Sequence, residues 1–92
     1  MNDERMIEDI KNKRKRLIFR SWHRGMKEMD LIMGTFADQN VPDFSEEELS
    51  EYEELLHCND PDVYSWLTKK EEPPANLVCG VVFKKLMAHS YV

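Results

Sequence analysis

The spacing of apolar residues predicts a first helix over about Asp3–Trp22. Its apolar residues recur at three- and four-residue steps, as one face of a helix requires. They are Ile7, Ile10, Leu17, Ile18 and Trp22. The middle of this helix, Lys11–Arg16, is almost wholly basic and must face solvent or a partner. Gly25 follows, at the place where a left-handed residue directly after the C-cap would end the helix.

A second helix is predicted from Met26 to a break at Asn40–Asp43. Its apolar stripe again follows three- and four-residue steps, which is typical of a helix with one buried face. The stripe contains Met26, Met29, Ile32, Met33, Phe36 and Ala37. The break contains Pro42 and has the composition of a loop.

A capping box predicts the start of a third helix at Ser45. The Ser45 hydroxyl can accept from the backbone N–H of Glu48, and the Glu48 carboxylate can reach back to the N–H of Ser45. The helix then places one apolar face inward. That face contains Leu49, Tyr52, Leu55 and Leu56.

Two further helices are predicted in the last third of the chain. In the fourth, Asp60 is the expected N-cap and Pro61 the first helical residue, with Val63, Trp66 and Leu67 on the buried side. Residues 71–76 end it, and residues 77–90 read as the last helix. Its apolar face contains Val78, Val81, Val82, Leu86 and Met87. The run "LVCGVVF" has strand-forming residues, but a lone strand has no partner, so a helix is favoured.

These elements predict an all-α fold, a small compact bundle of about five helices joined by short loops. A chain of 92 residues is one domain's worth, so residues 1–92 are predicted to form a single helical domain. Within it, residues 1–12 are an N-terminal extension of the first helix that can fray. No run approaches the roughly 18 apolar residues of a membrane span, so direct membrane insertion is not expected.

Charge and cysteine content bear on the partners of the chain and on its cellular compartment. The formal net charge is −5, with residues 1–30 at +3 and residues 31–92 at −8. Such a dipolar chain can steer a partner's approach. Cys58 and Cys79 lack CxxC spacing and are expected to be reduced thiols. Because the chain begins with Met and the start is acidic, the expected location is the bacterial cytoplasm, or the mitochondrial matrix if the source is eukaryotic.

Catalytic and metal-binding patterns are absent from the sequence. An enzyme needs a convergent nucleophile, base and stabiliser, whereas the three His lie in three different segments. With three Gly in all, a phosphate-cradling loop is not expected. His57, Cys58, Cys79 and His89 lack the spacing of a metal site. The sequence therefore predicts a protein that is not an enzyme and has no tightly bound cofactor or metal.

The basic run Lys11–Arg16 leaves three interpretations open. It can be a solvated helix face, a contact for an acidic protein, or a contact for phosphates of nucleic acid. The acidic chain (pI about 5.1) and the lack of a base-reading helix disfavour nucleic acid. The acidic residues 46–54 are most simply a solvated face.

Two stretches of the sequence are similar to a known family. "RKRLIFRSWHRGMKEMDLIMGTFA" followed by "LHCNDPDVYSWL" resembles the succinate dehydrogenase flavinylation factors, the assembly factor 2 group. The first stretch carries the family's RGxxE motif, and the second a D-x-D-x-Y-x-W-L segment. Their positions here are Arg24, Gly25, Glu28 and the following Asp30, then Asp60, Asp62, Tyr64, Trp66 and Leu67. The resemblance covers roughly residues 13–70.

The resemblance implies a function that composition does not show. Members are compact helical bundles, commonly of five helices, that act as assembly chaperones. They bind the flavoprotein subunit of succinate dehydrogenase, in some bacteria also of fumarate reductase, and promote covalent attachment of FAD to one of its His residues. The chain is expected to be a monomer when free, and with so few glycines and no dinucleotide motif it is not expected to bind free FAD tightly. The alternative is an antitoxin-like or regulatory module that antagonises a toxic partner.

The partner-binding surface is predicted at the turn that carries the RGxxE motif, Arg24–Glu28, which is called the elbow below. The Arg24 fork can reach a carboxylate, Gly25 admits a close backbone, and Glu28 either faces the partner or pairs with Arg24. Trp66 is either a core residue or an interface anchor, and Tyr64 is the more exposed of the two. The full predicted set is Arg20, Arg24, Gly25, Lys27, Glu28, Asp30, Tyr64 and Trp66.

Overall fold

A computed structural model describes residues 9–78 and 80–89. Within those ranges the chain is all-α, as predicted, with no strand. A short 3-10 helix, Val41–Asp43, joins the second α-helix to the third. The α-helices are α1 (Ile10–Trp22), α2 (Lys27–Asn40), α3 (Glu46–Leu56), α4 (Asp60–Leu67), α5 (Ala75–Val78) and α6 (Val81–Ala88). None of the helices in the described ranges is long and apolar enough to cross a membrane.

The core lies where the predicted apolar faces meet. All four predicted residues of α3 are buried, as are Met29, Met33, Phe36 and Ala37 of α2. Helices α1 and α2 run antiparallel, since Arg14 near the start of α1 donates to the carbonyls of Val41 (3.3 Å) and Phe44 (2.7 Å), just beyond the end of α2. Helices α3 and α6 close the other side of the core.

A buried polar contact joins three helices at the centre. The Tyr52 hydroxyl lies 2.6 Å from the Ser21 hydroxyl and donates towards the Met33 carbonyl at 3.4 Å. Both side chains are fully buried. Burial raises the pKa of Tyr52 well above its usual value, so the phenol stays protonated and able to donate. Because unpaired polar groups are costly in a core, this contact favours one register of α1, α2 and α3.

Gly34 sets how closely α1 approaches α2. A Cβ at this position would lie 2.2 Å from an aromatic carbon of Trp22. The indole therefore lies directly over the backbone of α2, with its N–H donating to Asp38 at 3.3 Å. No pattern in the sequence singled out Gly34, because a glycine inside an apolar stripe carries no periodic signal.

Of three predicted helix starts, one is confirmed, one was wrong by a residue and one lies outside the described residues. The capping box is confirmed, with Ser45 and Glu48 exchanging hydrogen bonds of 3.2 and 2.9 Å. The prediction for α4 was wrong by one residue: Asn59 is the N-cap, Asp60 is already helical and Pro61 is second. Helix α1 is described from Ile10, and the predicted start at Asp3 lies outside the described residues.

The single helix predicted over residues 77–90 is wrong. Helix α5 ends at Val78 and α6 begins at Val81, with Gly80 extended (φ −77°, ψ 145°) between them. The cause is a tertiary contact: the Glu51 carboxylate of α3 accepts the Val82 N–H at 2.9 Å, in space that a Cβ on Gly80 would fill. Val81, predicted on the buried face, is 53% exposed.

The basic run and the acidic stretch are only partly solvated faces. Glu53 of α3 accepts from Arg16 at 2.9 Å and from Lys13 at 3.4 Å. Glu51 caps α6, so these two acids are structural. Glu46, Glu47 and Glu54 remain exposed, as the simple interpretation predicted.

Candidate docking site

The corner between α1 and α2 is built around a glycine that no other residue readily replaces. Gly25 has φ of 109°, a backbone conformation that L side chains rarely adopt. The predicted need for a left-handed residue is confirmed, although Gly25 lies two residues after the C-cap His23. It is exposed, and no atom lies within 4 Å of where a Cβ would point. The corner is therefore open to solvent.

Arg24, the residue before this glycine, points inward. Its Nε donates to the Asp60 carboxylate at 2.9 Å, and Nη2 lies 2.8 Å from the same oxygen. Nη1 donates to the Leu56 carbonyl at 2.8 Å and Nη2 to the Cys58 carbonyl at 3.1 Å. The Arg24 and Asp60 side chains are 9% and 10% exposed. The ion pair with Glu28 that the sequence allowed is not formed.

The position of Arg24 suits the electrostatics of the two helices it touches. The Leu56 carbonyl belongs to the last residue of α3, where the helix dipole favours a cation. Asp60 is in the first turn of α4, where the dipole favours an anion. The guanidinium therefore bridges the end of one helix and the start of the next, which ties the α1–α2 corner to the α3–α4 corner.

Asp30 holds the corner from the other side. Its carboxylate, in the first turn of α2, accepts the backbone N–H of Arg24. Arg24 is therefore fixed both by its main chain and by its side chain. This internal network, called the brace below, consists of Arg24, Asp30, Asp60 and the carbonyls of Leu56 and Cys58.

An open cleft of about 670 Å³ lies beside the brace, between the two corners. One wall is the end of α1 and the Gly25 corner, and the other is the start of α4. Lys27 and Glu28, in the first turn of α2, are exposed next to it, and their side chains have no hydrogen bond or ion pair among residues 9–78 and 80–89. The lining residues are Arg20, His23, Arg24, Gly25, Met26, Cys58, Asn59, Asp60, Pro61 and Asp62.

Six of the eight predicted partner-binding residues are brought together here. Arg20, Arg24 and Gly25 line the cleft, Lys27 and Glu28 flank it, and Asp30 supports it. Whether a partner touches them stays a prediction. The structure adds that Gly25 and Glu28 face solvent while the Arg24 fork is occupied.

The remaining two predicted residues lie in α4. Trp66 is 8% exposed and packs edge-on against Phe83 with ring centroids 6.3 Å apart, which is the core interpretation. Tyr64 is half-buried against the same core, and more accessible than Trp66. Little of the indole is left for a partner to contact.

Sequence reasoning missed what Asp60 does. It was expected to cap α4, and the D-x-D segment carried it only as part of a resemblance. Its actual partner is 36 positions away in sequence. One signal was available: an acidic residue at a helix start, in the segment that accompanies the RGxxE motif.

Cys58 is the one thiol among the residues that line the cleft, and burial, with the nearby Asp62 charge, raises the pKa of its thiol. A protonated thiol is a weak nucleophile. The arrangement suits recognition of a surface.

The chain is similar to known proteins over most of its length. A family model described as flavinator of succinate dehydrogenase matches residues 15–90. A Dictyostelium discoideum protein named succinate dehydrogenase assembly factor 2, mitochondrial, is 40% identical over 90% of this chain and 57% of its own length. Proteins of the same name from Cryptococcus neoformans and Arabidopsis thaliana are 38% and 35% identical, over 95% and 87% of this chain and 50% and 44% of theirs. The chain thus spans about half the length of these relatives.

Proposed function

The chain belongs to the family of flavinators of succinate dehydrogenase, and we propose that it is an assembly factor for that enzyme. It binds the flavoprotein subunit of succinate dehydrogenase and promotes covalent attachment of FAD to a His of that subunit. The same names disfavour the antitoxin-like alternative, since the relatives compared above are all called succinate dehydrogenase assembly factors.

One observation supports this proposal most strongly: the elbow is rigid on the inside and open on the outside. The brace fixes the α1–α2 corner through four hydrogen bonds of Arg24. The exposed positions, Gly25, Lys27 and Glu28, present a small bare corner with charges of both signs. A pre-organised surface loses little conformational entropy on binding, which favours docking.

Docking at this elbow promotes the reaction by positioning. The flavinylated His and the flavin both belong to the client complex, so the chain need only stabilise the client conformation in which they meet. Gly25 has no side chain, so client backbone can approach the corner closely. In this role Arg24 acts as an internal support, and Lys27 and Glu28 make the outward polar contacts.

The assembly factor is proposed to act without catalytic groups or a tightly bound cofactor, and as a monomer when free. It works wherever the flavoprotein subunit is assembled. The relatives' names place them in mitochondria, so the proposed location is the mitochondrial matrix in a eukaryote or the cytoplasm in a bacterium.

The direct experiment is flavinylation of a purified client. The apo flavoprotein subunit is incubated with FAD, with this protein or with the same protein denatured beforehand. Covalent flavin is read as fluorescence of the denatured gel band. We expect a several-fold faster appearance of the band with the folded protein, and equal rates in the two reactions would overturn the proposed function.

A further inference from the structure

The basic run at the start of α1 is divided between two environments. Three of its side chains turn towards the protein, where Glu53 and two backbone carbonyls engage them. Lys11 and Lys15 are exposed on the other side of the helix. Neither side chain has a hydrogen bond or an ion pair within the part of the chain that the structure describes. Their charges are therefore available to a partner.

These two lysines continue into an exposed aromatic pair. Lys11, Lys15, Phe19 and His23 are spaced four residues apart, so successive members are neighbours in a row along the outer face of α1 that ends at its C-cap, His23. Phe19 is 63% exposed. Its ring stacks on His23 with centroids 4.1 Å apart, and His23 Nδ1–H donates to the Phe19 carbonyl at 2.8 Å. The aromatic end of the row is thus held in one arrangement before anything binds.

This outer row leads into the docking elbow. His23, its last member, lines the same cleft as Gly25 and Arg24. A partner seated at the elbow therefore has the outer row directly beside it. A second contact there would extend one continuous interface.

Charge and chemistry indicate what the row binds. The exposed lysines without partners lie in residues 1–30, the part of the chain with a net charge of +3, and they attract acidic surfaces. A nucleic acid would be repelled by residues 31–92, which carry −8, and has no use for an exposed phenyl ring beside the lysines. Two ammonium groups followed by an apolar ring fit carboxylates followed by an apolar side chain.

We propose that the outer row, Lys11, Lys15, Phe19 and His23, is a second contact surface for the flavoprotein subunit, and that it binds an acidic segment of that subunit. Client carboxylates pair with Lys11 and Lys15, and an adjacent apolar client side chain packs on Phe19. This inference rests on the proposed function. It adds a salt-dependent contact, separate from the elbow, that speeds encounter and fixes orientation.

The test compares charge reversal on the row with charge reversal elsewhere. Binding of the full chain to the FAD-loaded flavoprotein subunit is measured at 50 and 300 mM NaCl. The row variant is Lys11→Glu/Lys15→Glu, and its control is Lys70→Glu/Lys84→Glu, at two exposed lysines beyond α4 and in α6. Both pairs change the net charge equally. We expect the row variant to raise Kd about tenfold at low salt and far less at high salt, and the control to change it less than about twofold.

Phe19→Ala tests the apolar half of the row. Because its ring is exposed, this variant keeps the melting temperature of the wild type, but it raises Kd about tenfold at both salt concentrations. Salt independence distinguishes lost packing from lost charge.

The possible failures separate the two proposals. If the wild type does not bind the subunit at all, the proposed function fails and the row falls with it. If the wild type binds and all three variants bind equally well, the row is wrong while the elbow stands. If the row variant keeps its affinity for the subunit but loses binding to a fluorescent RNA or DNA duplex, the row serves nucleic acid and the inference is overturned.

Discussion

Arg24 is the residue on which the elbow depends, and it acts from inside. A guanidinium with its side chain 9% exposed and four interactions to Asp60, Leu56 and Cys58 is placed to hold two corners together. Removing it would leave the Asp60 carboxylate nearly buried without its cation, the expensive way to break an ion pair. Lysine cannot substitute fully, because one ammonium cannot reproduce the fork that reaches both a carboxylate and two carbonyls.

A double-mutant cycle tests the brace. Arg24→Met should lower the free energy of unfolding by about 2–4 kcal/mol, and Arg24→Lys by roughly half as much. Arg24→Met with Asp60→Asn should cost less than the sum of the two single variants, because each single variant already breaks the shared contact. Urea unfolding is measured for the wild type, the three single variants and the double variant.

Arg20→Met is the matched control for that cycle. Arg20 lies one turn earlier, on α1, and lines the same cleft, and its side chain has no hydrogen bond or ion pair within the described ranges. It should cost less than ~0.5 kcal/mol. If Arg24→Met costs no more than Arg20→Met, the brace is not what holds the corner, and the Arg24 fork is then free to serve a partner.

At the scale of elements, α1 and α3 are joined by charge as well as by their apolar faces. Glu53 of α3 sits between Lys13 and Arg16 of α1. Burial would raise the pKa of Glu53, but the hydrogen bond and charge of Arg16, with the charge of Lys13, outweigh it and lower the pKa below its ordinary 4.5. A carboxyl whose pKa is lowered by folding stabilises the fold while it is ionised.

Because folding lowers the pKa of Glu53, the stability that this carboxylate contributes depends on pH. The contribution of Glu53 is fully present above about pH 4.5, its ordinary value, and is lost as the pH falls through the lowered folded-state pKa. Glu53→Gln should therefore reduce the free energy of unfolding by up to about 1 kcal/mol at pH 7. The difference from wild type should shrink as the pH falls below 4.5 and vanish at lower pH.

Glu54→Gln is the control for Glu53→Gln. Glu54 is the next residue of α3, exposed, with no ion pair among the described residues, so the same charge change should have little effect at any pH. Denaturant unfolding from pH 7 to pH 3 measures both variants. A Glu53→Gln effect that persists undiminished at pH 3 would contradict the assignment, because it would then not depend on the carboxylate charge.

At the scale of the whole molecule, local signals in the sequence were enough for the bundle. Three-residue and four-residue periodicity located α1 to α4, and the capping box at Ser45 located the start of α3, because both depend on neighbours in sequence. The break at Gly80 could not be foreseen. It depends on Glu51, a carboxylate from another helix, which takes the N–H that a continuous helix would have used.

The candidate site was likewise predictable only where its features depend on residues close together in sequence. That Gly25 needs positive φ, and that the corner is exposed, followed from helix termination and composition. The inward direction of Arg24 did not, since it depends on Asp60 and on carbonyls more than 30 positions away. Trp66 was open between core and interface until Phe83 was placed against it. Motif spacing thus located the elbow, and only long-range packing separated its interior from its exterior.

The central claim is that the flavoprotein subunit docks on the exposed side of this elbow. Substitution of Gly25 tests that claim most directly. Gly25→Ala and Gly25→Arg both impose a side chain on a positive φ, so both should lose about 1–2 kcal/mol of stability. Only Arg adds bulk on the open side of the corner. Flavinylation of the apo flavoprotein subunit is measured with each variant at a temperature where both remain folded by circular dichroism.

We predict that Gly25→Ala keeps most of the wild-type rate while Gly25→Arg falls to the rate without assembly factor. Equal rates for folded Gly25→Arg and Gly25→Ala would contradict the account, because a bulky side chain at the docking surface would then not slow flavinylation.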